Sequence, residues 1–112
     1  MAGIIGILQF AIDATGERQK AIADNISNAQ TPGYTAKDVS FEQSLASAIN
    51  NGGTASVTDG YSPALPATDG NNVDLTTQLV AAQSSTLQYQ MLTDYLNAQF
   101  LLVQGAAGGP FT

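Results

Sequence analysis

The stretch Asn25-Ile26-Ser27-Asn28-Ala29-Gln30-Thr31-Pro32-Gly33-Tyr34 decides the fold, because it ends one long apolar-periodic segment and turns the chain. Pro32 has no N–H group and pushes Thr31 out of the α region, so a helix cannot continue through this point. Pro32 and Gly33 fit the central positions of a type II turn, in which the second residue has positive φ. The sequence therefore predicts a long helix, an abrupt end, and a Tyr34 side chain held at a fixed place.

Apolar residues before this turn recur at alternating steps of three and four positions, as in a helix that packs along a heptad seam. This pattern predicts a helix over residues 3–30. Thr15 and Gln19 place polar groups on the seam, and Gly16 weakens the middle of the helix. The predicted seam of this helix contains Ile5, Leu8, Ile12, Ile22 and Ile26.

A second heptad pattern predicts a C-terminal helix within residues 73–104, roughly 45 Å long. Gly105 is expected to end this helix, which leaves a tail over residues 105–112. Tyr89 is expected to bury its ring and to find a hydrogen-bond partner for its hydroxyl. The predicted seam of the second helix contains Leu75, Leu79, Tyr89, Leu96 and Phe100.

The segment between the two helices divides into a mixed part, residues 31–49, and a loop-rich part, residues 50–72. The spacing of Phe41, Leu45 and Ile49 favours a short helix, although a short strand near Val39 is also open. Glycine, proline and Asx residues interrupt the second part, where a hairpin around Asp59-Gly60 is possible. The fold class that results is all-α, a single domain over residues 1–112 built as a coiled-coil hairpin with an irregular, possibly flexible centre.

The acidic stretch at residues 69–74 resembles a calcium loop only superficially. An EF-hand loop that begins at Asp69 needs Gly at its sixth position and Glu at its twelfth, where this chain has Asp74 and Val80. We therefore interpret the stretch as a turn followed by a helix N-cap, with Asn72 or Asp74 as the capping residue.

Composition excludes several classes of function. The chain has no cysteine and no histidine, and its three basic and nine acidic residues give a net charge of −6. Phosphate contacts and anionic membrane surfaces both require Lys and Arg, so nucleic acid and membrane partners are disfavoured. No grouping of nucleophile, base or paired acids is present. We expect no enzyme activity, no cofactor, no metal and no small-molecule substrate.

The string Asn-Ile-x-Asn-Ala-x-Thr-Pro-Gly-Tyr at 25–34, with Lys37-Asp38 and Phe41-Glu42 after it, resembles the N-terminal signature of the bacterial flagellar rod and hook protein family. Residues 69–75 are similar to a second signature that precedes the C-terminal helix in that family. The chain departs from the family at Thr76-Thr77-Gln78, where an acidic residue is common. The motif residues are Asn25, Asn28, Thr31, Pro32, Gly33, Tyr34, Asp69, Gly70, Asn71, Asn72 and Asp74.

The resemblance implies a structural subunit of the flagellar basal body that forms the proximal rod by helical self-assembly and supports torque transmission and motility. It implies contacts with other copies, other rod proteins, and rod-adaptor and export-gate proteins, without direct membrane insertion. Residues 4–12 are apolar but too short to span a bilayer, and no basic residue precedes them. The resemblance instead implies export to the periplasmic rod without a cleaved signal peptide. The alternative is a soluble helical-hairpin adaptor or export-chaperone-like protein that binds a partner helix.

Overall fold

Two long helices and a small β-ribbon make up the computed structural model, which describes residues 3–107. The elements in chain order are α1 (Ile4–Ser27), β1 (Lys37–Ser40), α2 (Glu42–Asn51), β2 (Thr58–Tyr61) and α3 (Leu75–Ala107). The molecule measures 64 × 29 × 14 Å, so it is an elongated and thin body. Neither long helix, within the described residues, combines the length and the apolar character needed to cross a bilayer.

The long helices α1 and α3 pack against each other in antiparallel directions. Near one end the Asn25 side chain donates to Gln78 Oε1 at 3.1 Å, and further along Ile12 and Tyr89 border the same shallow cavity. The helical hairpin that the two heptad patterns predict is therefore confirmed.

The prediction of an all-α fold holds only roughly, because β1 and β2 form a small antiparallel ribbon with Lys37 opposite Tyr61 and Ser40 opposite Thr58. Asp59 and Gly60 lie inside β2 and do not form a hairpin turn. The two strands are joined through α2, which matches the short helix predicted from the spacing of its apolar residues. Side chains of α1 bind the backbone of β1 on the edge that β2 leaves free, so both edges of β1 are hydrogen-bonded.

An aromatic and ionic contact holds the start of α2 against α1. The Phe41 ring is buried and meets Phe10 edge-on, with ring centroids 6.1 Å apart. The Arg18 guanidinium lies 4.6 Å from the centroid of the Phe41 ring and forms an ion pair with Glu42, with Nη1 and Oε2 at 2.6 Å. The attraction between a cation and an aromatic face stabilises this contact in addition to the burial of the ring.

The predicted seam of α1 is covered in part. Leu8 and Ile22 are buried, while Ile5, Ile12 and Ile26 are half-buried. The buried core also contains small residues, chiefly alanines, so few large side chains anchor this helix.

The predicted seam of α3 is largely uncovered within a single chain. Leu75, Leu79, Tyr89 and Phe100 are exposed, and only Leu96 is half-buried. Nothing among the described residues forms the hydrogen bond expected for the Tyr89 hydroxyl.

The covered face of α3 lies one position earlier at several points. Gln78, Ser85 and Gln99 are covered, whereas Leu79, Thr86 and Phe100 are exposed. Apolar residues lie around most of the circumference of α3, so the spacing of these residues does not identify one packing face. The residues that contact α1 are small or form hydrogen bonds.

Both helix ends differ from the predicted ends. The α1 helix stops at Ser27 because Asn28 leaves helical geometry, and its Nδ2 donates to the Asp24 carbonyl at 2.9 Å. The α3 helix continues through Gly105 to Ala107, so one glycine, at roughly 1 kcal/mol relative to Ala, does not end a helix this long. Residues 108–112 of the predicted tail lie outside the described residues.

Candidate functional site

The chain reverses after α1 through the predicted type II turn. Gly33 has a φ of +76°, and the Tyr34 N–H donates to the Thr31 carbonyl at 3.3 Å. Thr31 Oγ1 also donates to Asn28 Oδ1 at 3.0 Å, which ties the turn to the residue that ends the helix. The positive φ predicted for Gly33 is therefore confirmed.

A second turn, from the loop before α3, sits directly on the first. The Gly33 N–H donates to the Asp69 carbonyl at 2.8 Å. Gly70 has a φ of +84°, and a Cβ atom added there would lie 3.2 Å from Gly33 Cα. The absence of a Cβ at Gly70 therefore allows the two backbones to approach more closely than a side chain there would permit.

Asn71 fastens the loop before α3 to the end of α1. Its side chain is 5% exposed, and its Nδ2 donates to the carbonyls of Asn28 at 2.8 Å and Thr31 at 2.7 Å. Its Oδ1 accepts the Val73 N–H at 2.7 Å. One amide thus joins segments 40 residues apart in the chain.

Asn72 fastens the same loop to the ribbon. Its Oδ1 accepts the Ala36 N–H at 2.6 Å, and its Nδ2 donates to the carbonyls of Ser62 at 3.0 Å and Ala64 at 3.1 Å. The Asn72 side chain therefore bridges the chain segments that enter β1 and leave β2.

Asn25 connects α1 to β1, because its amide binds both backbone groups of one residue of the strand, as a neighbouring strand would. Its Oδ1 accepts the Lys37 N–H at 2.8 Å while its Nδ2 donates to the Lys37 carbonyl at 2.9 Å. The same oxygen accepts the Tyr34 hydroxyl at 3.1 Å, and the same nitrogen donates to Gln78 Oε1 at 3.1 Å. The residue is 1% exposed, so every polar position of a buried amide is satisfied.

We call Asn25, Asn71 and Asn72, with the backbone groups that they bind, the asparagine joint. Nine predicted motif residues meet at or beside it, and the two separate sequence signatures become one site. Pro32 lies exposed in the turn, and Asp74 caps α3, with its Oδ1 accepting the Thr77 N–H at 3.3 Å.

Sequence reasoning missed Gln78 and the backbone of Lys37 as members of the joint. One signal could have drawn attention to Gln78. It lies in the region Thr76-Thr77-Gln78, where the family commonly has an acidic residue and this chain has none. A neutral amide can donate and accept, and here its oxygen serves the Asn25 amide.

Two ion pairs lie beside the joint. The Arg18 guanidinium lowers the pKa of Glu42 to about 2, mainly through their hydrogen bonds. The hydrogen bond with Asp24, at 2.8 Å, raises the pKa of Lys37, and both partners are exposed. The exposed pair therefore stabilises the ribbon only weakly.

The hydrogen bonds of the asparagine joint hold three chain segments together, but its amide side chains offer no reactive group. Side-chain amides neither ionise near neutral pH nor act as nucleophiles, whereas their hydrogen bonds hold the connected segments at fixed angles. Over residues 3–107, no cluster of three acidic, histidine or cysteine side chains is placed to hold a metal ion.

Comparisons with known proteins match the same regions. The family described as "Flagella basal body rod protein" matches residues 9–35, which include the first signature. The chain is 32% identical to flagellar basal body rod protein FlgB of Salmonella typhimurium over 114 residues, covering 81% of this chain and 83% of that protein. FlgB of Cereibacter sphaeroides is 31% identical, over 83% of this chain and 84% of the relative. FlgB of Aeromonas hydrophila is 29% identical, over 84% of each chain.

Proposed function

This chain belongs to the FlgB family of flagellar basal body rod proteins, and we propose from this that it is a structural subunit of the proximal rod. The subunits assemble helically through the terminal helices α1 and α3, and the resulting tube transmits torque to the flagellum. Loss of the protein therefore abolishes flagellum-dependent motility.

The observation that carries this proposal is the amount of apolar surface that α3 leaves uncovered. A helix that is apolar on all sides belongs in the interior of a larger body of protein. One neighbour, α1, covers one side only, and contiguous apolar patches on a soluble monomer are typical of interaction sites. Exposed large apolar side chains of α3 include Leu79, Val80, Leu87, Met91, Tyr95 and Leu101.

The asparagine joint supports the mechanical part of the proposal. In a tube under torsion, the angle between α1 and α3 has to stay fixed while neighbouring copies push on both helices. The joint binds the end of α1, the ribbon and the start of α3 through two buried amides, Asn25 and Asn71, and the half-buried amide of Asn72. Such fully satisfied polar networks are rigid, and their geometry is specific.

The proposed location is the periplasmic rod of the basal body, reached through the flagellar export apparatus without a cleaved signal peptide. The proposed partners are further copies, other rod proteins, and the rod-adaptor and export-gate proteins at the base. The net charge of −6 agrees with contacts to protein in preference to nucleic acid or anionic lipid.

Deletion of the gene in its own flagellated bacterium tests the proposal. We expect cells without rods and without swimming, and rescue of both by the wild-type gene supplied in trans. Electron microscopy of isolated basal bodies is the measurement that decides, because motility alone also fails when export is impaired. Complete rods in the deletion strain would contradict the proposal and favour the helical-hairpin adaptor.

A further inference from the structure

Among the described residues, one end of the molecule carries no charged side chain. All 12 charged residues lie outside residues 4–12 of α1, 43–57 of α2 and its following loop, and 95–107 of α3. Because α1 and α3 are antiparallel, the start of α1 and the end of α3 lie at the same end of the long axis. The uncharged end is therefore a continuous region of three elements.

An apolar cleft opens on this end between α1 and α2. Its volume is about 350 Å³, and its walls are formed mainly by Ile7, Phe10, Leu45 and Ala48. A cavity of roughly 150 Å³ already accommodates a benzene-sized ring, so this cleft holds one or two large apolar side chains.

The end of α3 projects beyond the rest of the molecule. From the hydrogen bond between Asn25 and Gln78, α1 runs 21 residues back to Ile4, whereas α3 runs 29 residues on to Ala107. The difference is about eight residues, or roughly 12 Å of helix. Leu101, Leu102 and Val103 in this projection are 59%, 55% and 51% exposed.

The projecting end cannot fill the cleft of its own chain. Gly6, Ile7 and Phe10 face the cleft, whereas Ile22 and Ile26 border α3. At 3.6 residues per turn Gly6 and Phe10 lie roughly 120–160° around α1 from Ile22 and Ile26, and Ile7 lies between the two sets. A projecting apolar helix end and an open apolar cleft are thus presented separately by the same chain.

We propose that residues 100–103 of one copy, the α3 tip, insert into the α1–α2 cleft of a second copy. This inference rests on the proposed self-assembly and names one of its contacts. Two copies with a net charge of −6 repel each other, and they approach most readily through surfaces without charge. The tip and the cleft are both uncharged and apolar, so a second copy satisfies both.

The contact joins different surfaces of the two copies. Where one tip occupies one cleft, each bound copy still presents one free tip and one free cleft, so copies held in the same orientation add in succession. Heterologous contacts of this kind generate rings or open helical filaments. The proposed contact is therefore compatible with a helical tube.

The absence of cysteine from the chain makes a direct test by cross-linking possible. We would prepare Leu102→Cys and Ala48→Cys as separate proteins, mix them at equal concentration, and oxidise them. We expect a disulfide-linked heterodimer, because the inserted tip brings the two positions within bonding distance. Gln83→Cys, exposed in the middle of α3, replaces Leu102→Cys in the matched control. A heterodimer yield no higher than that of the control would overturn the proposal.

Charge variants separate this contact from assembly in general. Leu102→Glu and Ala48→Glu should each weaken self-association by about tenfold or more in analytical ultracentrifugation, since each buries an unpaired carboxylate. An equal mixture of the two should form a discrete dimer, because one intact tip and one intact cleft remain. Circular dichroism checks that both variants keep the helix content of the wild type.

This assay distinguishes a failure of the proposed tip–cleft contact from a failure of the proposed self-assembly. If the wild type associates and both variants associate as strongly, the tip–cleft contact is wrong and the proposed self-assembly stands. If the wild type stays monomeric at every concentration, the contact and the self-assembly are both overturned.

Discussion

The backbones of Gly33 and Gly70 touch: a Cβ atom placed on Gly70 would lie 3.2 Å from Gly33 Cα, and both residues have positive φ. Each glycine belongs to one of the two sequence signatures. The first ends α1 and the second precedes α3, so this contact is the place where the two halves of the hairpin are joined. Substitutions at these glycines test the joint without touching any side-chain hydrogen bond.

Gly33→Val should destabilise the protein far more than Gly33→Asn. A Cβ at this position meets no atom within 4 Å, so the cost comes from the backbone conformation alone. Asn tolerates positive φ better than any other residue with a side chain, whereas a β-branched residue tolerates it poorly. We expect a loss of about 1–3 kcal/mol in the free energy of unfolding for Val, measured by chemical denaturation.

Gly70 provides the matched comparison. Gly70→Asn has the same tolerance of positive φ, but its Cβ would lie 3.2 Å from Gly33 Cα, and the hydrogen bond from the Gly33 N–H to the Asp69 carbonyl opposes separation of the two backbones. Gly70→Asn should therefore be clearly less stable than Gly33→Asn. Equal stabilities of the two Asn variants would mean that the turns do not touch in solution.

Asn71→Asp should be among the most damaging isosteric changes in the chain. The substitution removes both donated hydrogen bonds and points a carboxylate at the carbonyls of Asn28 and Thr31, in a site that is nearly dry. Leaving two buried acceptors unpaired and burying a charge costs several kcal/mol. Asn50→Asp, an exposed residue of α2, is the control and should change the unfolding midpoint little. Similar midpoints for both variants would contradict the bridging role of Asn71.

The hairpin and the turn could be predicted because their signals are local. Heptad spacing and the Thr31-Pro32-Gly33 sequence act within one or two turns of chain, and the physics that fixes them is local as well. The ribbon could not be predicted in the same way. Its strands are four residues long, β2 is exposed throughout, and Asp59-Gly60 is a turn signal that tertiary pairing overrides.

The members of the site could be named from their motifs, but their contacts could not. Asn25 is a buried helical residue whose partner, Lys37, lies 12 residues away and contributes only backbone atoms. A backbone partner leaves no mark in a single sequence. The face of α3 was missed for another reason, because a helix with apolar residues on every side offers several seams of similar quality.

The ion pair between Arg18 and Glu42 predicts an acid-dependent loss of stability. The folded state lowers the pKa of Glu42 from its ordinary value of 4.5 to about 2, so the pair stabilises the fold fully above pH 4.5. This contribution falls as the pH drops from 4.5 towards 2. Thermal unfolding of the wild type and of Glu42→Gln should differ near neutral pH and converge in that window.

The same difference should shrink at high salt, since the Glu42 side chain is half exposed and ions screen the pair. Glu17→Gln serves as the control, because Glu17 is exposed and forms no ion pair with the described residues. A wild-type advantage over Glu42→Gln that persisted at pH 2 would refute the assignment of the stabilisation to this pair.

The isolated chain should be poorly protected at low concentration. Its buried apolar core contains only a few large side chains, and helices without partners are marginal in water. We expect fast amide exchange at both ends of the dilute monomer and slower exchange as the concentration rises. Strong protection across residues 5–26 in a proven monomer would favour the hairpin adaptor over the rod subunit.

Ile22→Asp should abolish assembly while synthesis continues. Ile22 is 7% exposed and, with Ile26, borders Ala82 and Thr86 of α3, so an aspartate there faces no cationic side chain that could pair with its charge. A buried, unpaired carboxylate costs several kcal/mol, which exceeds what a small core can tolerate. Glu17→Ala changes an exposed residue of the same helix, and a strain with this variant should swim almost normally. Motility plates report both variants, and immunoblots show whether each protein is made. Equal motility of the two strains, with equal protein levels, would mean that α1 does not turn its Ile22 face towards α3 in the assembled rod.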